Sequence, residues 1–324
     1  MAGQAIDREM LAQVRRIQVR TDRMVTDVMA GGYNSVFRGS GIEFDEVREF
    51  TEGDDLRSVD WNVTARTGRP HVKKFMEERE LTVLFVLDVS KSLRFGSDPG
   101  PAPAPRPLAE TAALFCGCIA FAAARNNDKA GLVAFSDRIE TYVPGKKGRH
   151  HVLRLVREVF APAAEGTGSD LALALDFVGR VQRKRAVVFV VSDFLLDSDY
   201  ERPLRLLAQR HDVIAVRLRD PRTESLPESG LLRLRDVESG AERWVDCGSR
   251  AVRDAYARIA DEDRRAFLQT CRRAGVDPLL IDLPFPARRP EGRAGRPSGE
   301  GRADLVGNAI VSFFRMRERR GGRR

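Results

Sequence analysis

Asp88, Ser90 and Ser92 stand at alternate positions where an apolar run ends, in LTVLFVLDVSKSLRFG, residues 81–96. A carboxylate at the end of so apolar a strand is costly unless something there offsets its charge. A second acid, Asp193, ends another apolar run in VVFVVSDF. Between the two in the chain, EGTGSD (residues 165–170) sets the hydroxyls of Thr167 and Ser169 just ahead of a helical stretch. In an open α/β sheet, ligands bind beyond the carboxyl ends of the strands. Groups on strand-end and helix-start loops therefore converge on one edge. Carboxylates and hydroxyls are hard oxygen donors, so the implied ion is Mg²⁺ or another hard divalent cation. With few carboxylates bound directly, such a metal stays electrophilic and can take a carboxylate from a partner. The plainer reading of Asp88-x-Ser90-x-Ser92 is a helix cap after a strand; a second acid and a hydroxyl-bearing loop in the same kind of position weigh toward the metal.

These residues need a scaffold, and the pattern around them supplies one. Near-helical spacing of Met10, Leu11, Val14, Ile17, Met24, Val25 and Val28 predicts a helix over 8–30, stopped by Gly31-Gly32. Residues 38–80 are polar, turn-rich and dense in charges of both signs. From residue 81, apolar strands (LTVLFVLD, KAGLVAFSD, RAVVFVVSDF, DVIAVRL, VDPLLIDL) alternate with helical stretches. That alternation predicts a mainly parallel sheet covered by helices on both faces. LLRLRDVESGAERWVD reads as a hairpin turning at Glu238-Ser239-Gly240. The expected division is residues 1–80 as an N-terminal helix and a segment packed on the sheet domain, 81–285 as the sheet domain, and 286–324 as a disordered basic linker ending in a short helix.

Other chemistries lack their residues. No Gly-rich phosphate loop follows the first strand, no Gly-x-Ser-x-Gly elbow is present, and a phosphotransferase with a second Asp two positions on finds Ser90 there. Cys116, Cys118, Cys247 and Cys271 have neither zinc spacing nor a disulfide pattern, so they read as reduced core thiols of a cytoplasmic protein. The N-terminus shows no signal peptide, and the apolar run 112–124 is short for a membrane span. Glu43, Asp45, Asp54, Asp55, Asp60, Glu77, Glu78 and Glu80 would serve a metal-dependent hydrolase acting on nucleic acid, the alternative function. They read more simply as a solvated face, with Asp54 or Asp55 a cap, and Trp61 as core.

The net charge is +8, and residues 287–324 hold eleven Arg against four Asp or Glu, so nearly all of the excess lies in the tail. A neutral body with an arginine tail does not predict specific nucleic-acid binding. Phe313 and Phe314 beside arginines in AIVSFFRMRERR allow at most weak peripheral membrane contact.

The order Asp88-x-Ser90-x-Ser92, then Ser169 or Thr167, then Asp193 resembles the metal-ion-dependent adhesion site of von Willebrand factor type A domains. Ser169, directly before Asp170, matches the family's threonine slot by position, and Thr167 matches it by chemistry. The tracts GSGIEF, REFTEGDD, VDWNVTARTGRPHVKKF and EERELTV, with GLVAFSD and KKGRHHVLRLV, are similar to the bacterial domain of unknown function 58 family. The resemblance implies a von Willebrand type A-like α/β domain preceded by a family-specific segment. It also implies a partner, a MoxR-type AAA+ ATPase or its client, in protein complex assembly or maturation. The expectation is a non-enzymatic interaction module or adaptor.

Overall fold

The computed structural model describes residues 25–26, 28, 33, 43–51, 54–55, 58–76, 81–94, 107–159, 166, 168–196, 198–283 and 299–321. The chain divides into two compact units, Phe37–Leu81 and the remainder, Met1–Val36 with Thr82–Arg324.

In the smaller unit, β1 (Glu43–Glu49) pairs antiparallel with β2 (His71–Met76), and the helix α1 (Trp61–Thr67) lies between them in sequence. Asp60 caps α1 by accepting from the N–H groups of Asn62 and Val63 at 3.0 and 3.3 Å, and Gly68 ends it at φ 72°. Trp61 is 72% exposed, so the core role expected for it is wrong. It is the first residue of a seven-residue helix with no buried residue at all, so no apolar face exists there for it to join.

The larger unit is built on a six-stranded sheet. Its strands are β3 (Thr82–Asp88), β4 (Lys129–Phe135), β5 (Ile139–Lys146), β6 (Val187–Ser192), β7 (Asp212–Arg219) and β10 (Asp277–Asp282). The order is β10-β7-β6-β3-β4-β5, parallel throughout except for β5, which runs antiparallel to β4. The α/β expectation of a mainly parallel sheet therefore holds. The edge strand β5 was not anticipated. It carries Pro144 and a half-wet face with Tyr142 exposed, which hides the strand pattern but suits an edge. From β3 the chain passes to β4 on one side and later reaches β6 on the other. The crevice at the end of β3 is thus the switch point of the winding.

Helices cover both faces. On one, Leu84, Val86, Val133, Phe135, Val188 and Val190 join Leu171 and Leu175 of α4 (Leu171–Val181), Leu204 of α5 (Glu201–Arg210) and Phe267 of α6 (Arg250–Ala274) in one core. On the other, Phe85 stacks on Phe189 at 5.9 Å, and Phe115 of α2 (Pro107–Arg125) meets Phe189 edge-on at 5.5 Å. Each such buried side chain contributes roughly 1.5–3 kcal/mol. Helix α2 contains a stretch, Leu108–Arg125, long and apolar enough to cross a membrane, but 78% of it is buried inside the protein. Its apolar length belongs to the core, as do the buried thiols of Cys116 and Cys118. Helix α3 (Arg149–Val159) packs beside it, and β8 (Leu231–Arg235) and β9 (Glu242–Asp246) form the expected hairpin as a separate two-stranded sheet.

Two boundaries differ from expectation. Met1–Val36 goes with the sheet unit, not with the 38–80 segment. The reason is visible at Val25, Val28 and Tyr33, all buried: Tyr33 donates to Asp128 at 3.1 Å and meets Phe314 edge-on. At the other end, the helix expected to be short is α7 (Gly299–Gly321), 23 residues long. Its apolar stripe, Val306, Ile310, Phe313 and Phe314, is buried against the protein. The phenylalanines offered above to a membrane are therefore engaged in the fold. The linker expected to be disordered falls largely outside the described residues.

Candidate functional site at the carboxyl edge

Asp88 ends β3 and is 2% exposed. Every oxygen of its carboxylate is used. Oδ1 accepts the Ser90 N–H at 2.9 Å, while Oδ2 accepts the hydroxyls of Ser169 and Ser192 at 2.9 and 2.8 Å. The Ser90 and Ser92 hydroxyls lie 3.1 Å apart, and Ser92 also bonds Asp193. Asp193, 6% exposed, accepts the Leu195 N–H at 3.1 Å. The structure thus brings Asp88, Ser90, Ser92, Ser169 and Asp193 together. Thr167 lies outside the described residues; Ser169 touches Asp88 through its hydroxyl.

Local chemistry explains the aim of each group. Asp193 is followed by Phe194 at φ 55°, a left-handed conformation that costs a bulky residue about 1–3 kcal/mol. Phe194 is held there by the Ser192 hydroxyl, which accepts its N–H at 3.0 Å, and by rings of Phe267 and Tyr200 at 4.7 and 5.8 Å. On the other side, the Gly166–Asp170 loop is laced to the turn after β4. Glu140 accepts from Ser136 Oγ and from the Gly166 N–H, and the Asp170 N–H donates to the Ser136 carbonyl at 2.8 Å. A Cβ on Gly166 would stand 2.1 Å from Ser136 Oγ, so any other residue there forces its neighbours to shift. Asp170 then caps α4 through the Leu173 N–H, leaving Ser169 beside Asp88.

Sequence reasoning missed Ser192 and Glu238. A buried serine within an apolar strand needs a partner, and that was the available signal for Ser192. Glu238, in the β8–β9 turn, accepts the Ser92 N–H at 2.8 Å from 146 positions away. Local sequence carries no sign of it.

The electrostatics of the cluster are unbalanced. Burial pushes the Asp88 carboxyl up, against the hydrogen bonds from Ser90, Ser192 and Ser169. Burial, and then the charge of Asp88, push Asp193 up to about 6. Arg217 acts on Asp193 through space while lying 5.3 Å over the Phe267 ring. No salt bridge to Asp88 or Asp193 is formed among the described residues. Among those residues there is also no cluster of three Asp, Glu, His or Cys side chains placed to hold a metal by themselves. The donor set is two buried carboxylates with hydroxyls. It is all hard oxygen and short of positive charge, which fits a hard divalent cation.

Two acids of the smaller unit, Asp54 and Asp60, are occupied otherwise, while Glu77, Glu78 and Glu80 lie outside the described residues. Asp54 is bound by both Arg48 nitrogens at 2.6 and 2.8 Å and by Thr51, and the Arg48 bond holds its carboxyl down at about 2. It closes a turn instead of capping a helix. Asp60 supplies the cap of α1.

Relatives and a family profile place the chain. It is 35% identical over 282 residues to an uncharacterized protein of Mycobacterium bovis and, equally, to one of Mycobacterium tuberculosis, covering 86% of this chain and of each relative. Among solved structures, similarity extends to an aerotolerance-related membrane protein of Bacteroides fragilis (TM-score 0.43, 13% identity, 72% of this chain and 99% of that one). It extends also to a von Willebrand factor type A protein of Catenulispora acidiphila (TM-score 0.39, 10% identity, 88% and 52%). The profile of the family described as protein of unknown function DUF58 matches residues 46–266, and with that match and those relatives the chain belongs to the DUF58 family.

Proposed function

We propose that this protein is a non-enzymatic interaction module that presents a Mg²⁺-type ion at the carboxyl edge of its sheet to a carboxylate on a protein partner. The observation that carries the reading is Asp88. It is a buried carboxylate at the switch point, ringed by Ser90, Ser169 and Ser192, beside a second buried acid and without a cationic partner among the described residues. Asp88, Asp193, Ser90, Ser92 and Ser169 would hold the ion, directly or through water. When bound, the ion supplies a Lewis-acidic point that a partner's carboxylate can complete. The residues themselves do the positioning. Ser169 and Ser192 fix one oxygen of Asp88, the Ser90 N–H fixes the other, and the Phe194 backbone aims Asp193.

The partner proposed from the family resemblance is a MoxR-type AAA+ ATPase or its client, in complex assembly or maturation in the cytoplasm. The hydrolase alternative loses support because Asp54 and Asp60 are committed to a turn and a cap. Titration calorimetry with Mg²⁺ and Mn²⁺, followed by capture of the ATPase with and without chelator, tests the proposal. Binding of metal and ATPase by the wild type, both lost in Asp88→Ala, is the expected result. Chelator-insensitive capture, or nucleic-acid cleavage by the purified protein that Asp88→Ala retains, would overturn it.

A further inference from the structure

Among the described residues the β8–β9 hairpin forms a sheet of its own, apart from the main sheet, and exposes Leu231 and Trp244, yet it sends one acid into the carboxyl edge. Its turn is built firmly. The Asp236 N–H donates to the Ala241 carbonyl at 2.8 Å, and the Asp236 carboxylate accepts both the N–H and the hydroxyl of Ser239. Gly240 takes φ 71°. That turn holds Glu238 with Oε1 on the Ser92 N–H at 2.8 Å, while Oε2 is buried with no hydrogen-bond partner among the described residues. A buried, unpartnered carboxylate oxygen is destabilising, and here it stands in the field of Asp88. A glutamine would satisfy the Ser92 N–H without the charge. The hydrogen bond alone therefore does not account for an acid at this position.

We propose that Glu238 is the site's own carboxylate ligand: it occupies the position open to a partner's acid, so the isolated protein is closed and a partner must displace the hairpin tip. This rests on the metal reading above. Displacement leaves the six-stranded sheet untouched, because the hairpin is a separate two-stranded sheet with mostly exposed strands. Such a ribbon is only marginally stable by itself.

The test uses the full chain, with Mn²⁺ as the probe and acetate as the competing carboxylate. Calorimetry gives affinity, and water-proton relaxation counts the waters on the ion. Wild type should bind Mn²⁺ and show no change in hydration with acetate. Glu238→Ala should bind about tenfold more weakly, carry one more water, and lose that water to acetate. Glu242→Gln, on the same hairpin and paired with Arg233, should behave as wild type. If Glu238→Ala misfolds by circular dichroism, Glu238→Gln, which keeps an acceptor for Ser92, should still show the weaker affinity. Wild-type hydration and acetate response in folded Glu238 variants would overturn the inference and leave the metal site standing. Failure of wild type to bind Mn²⁺ any better than Asp88→Ala would bring down both.

Discussion

At the amino edge of the sheet, Asp212 and Asp277 face arginines; at the carboxyl edge, Asp88 and Asp193 face serines. Arg317 of α7 bonds both oxygens of Asp212 at 2.8 and 3.0 Å and reaches Asp277 at 3.1 Å, and Arg320 joins Asp277 at 3.3 Å. These acids begin β7 and β10, the ends opposite to those that carry Asp88 and Asp193. One edge is neutralised from within the chain and is structural. The other buries its acids more deeply and meets them with hydroxyls, Arg217 acting on Asp193 only through space. The same residue type on the same sheet thus does two jobs, set by what the loops and α7 bring to it. The arginine tail, which the composition marks as the basic feature of the chain, spends part of its charge on the structural edge.

The largest expected effect breaks the carboxyl edge. Asp88→Ala should weaken divalent-metal binding on the order of a hundredfold or more, read by calorimetry. The metal-free stability should stay within about 1 kcal/mol, since relief from burying a charge offsets the hydrogen bonds lost by Ser90, Ser169 and Ser192. The mirror-image experiment comes next. Arg317→Ala strips the partner from two partly buried acids and should cost about 2 kcal/mol in urea unfolding, with metal affinity unchanged. Metal loss in Arg317→Ala, or gross unfolding in Asp88→Ala, would show that the two edges are not divided in this way.

How far these edges could be read from sequence depended on how local their causes are. Asp88, Ser90, Ser92 and Asp193 announce themselves because an acid ending an apolar run is rare without a purpose. Ser169 was legible because its loop directly precedes a helix whose cap, Asp170, fixes its direction. Glu238 was not legible, because its closeness to Ser92 is created by the tertiary placement of a hairpin far along the chain. The same holds for α7. AIVSFFRMRERR looks amphipathic, but only the packed structure tells that its phenylalanines meet Tyr33 and each other rather than lipid. Trp61 misled for the converse reason. A large aromatic suggested a core, whereas a short helix with no buried side gives it none.

A third prediction sharpens the carboxyl edge through its frame. Gly166→Ala puts a methyl 2.1 Å from Ser136 Oγ and 2.2 Å from Asp137 Oδ1. The loop must shift, at a cost of about 1–3 kcal/mol, and Ser169 should move off Asp88. Metal affinity should then fall severalfold, well short of the Asp88→Ala loss. Ser169→Ala should reproduce the affinity change with less destabilisation. Full metal affinity in both variants would remove Ser169 from the site.

The smallest expected effect separates the edges by pH in metal-free protein. Burial, then the charge of Asp88, push Asp193 up to about 6. A carboxyl with a higher pKa folded than unfolded binds more protons in the folded state between those two values. Its penalty is full above about pH 6 and fades toward the ordinary carboxylate range, so stability rises as pH falls through that window. His211, buried just ahead of β7 at the amino edge, has the opposite sign. Burial, then the charges of Arg210 and Arg185, hold its ring below the usual imidazole value. The unfolded chain takes up that proton first, so stability present above the usual value is lost as pH falls below it. Between about pH 7 and 5 the two contributions oppose, and the wild-type profile should be shallow. In chelator, His211→Asn should gain stability from pH 7 to 5, and Asp193→Asn should lose it, read as urea midpoints. A His211→Asn protein that grows less stable toward pH 5 would mean that the carboxyl edge bears no charge penalty, and the contrast with the neutralised amino edge would collapse.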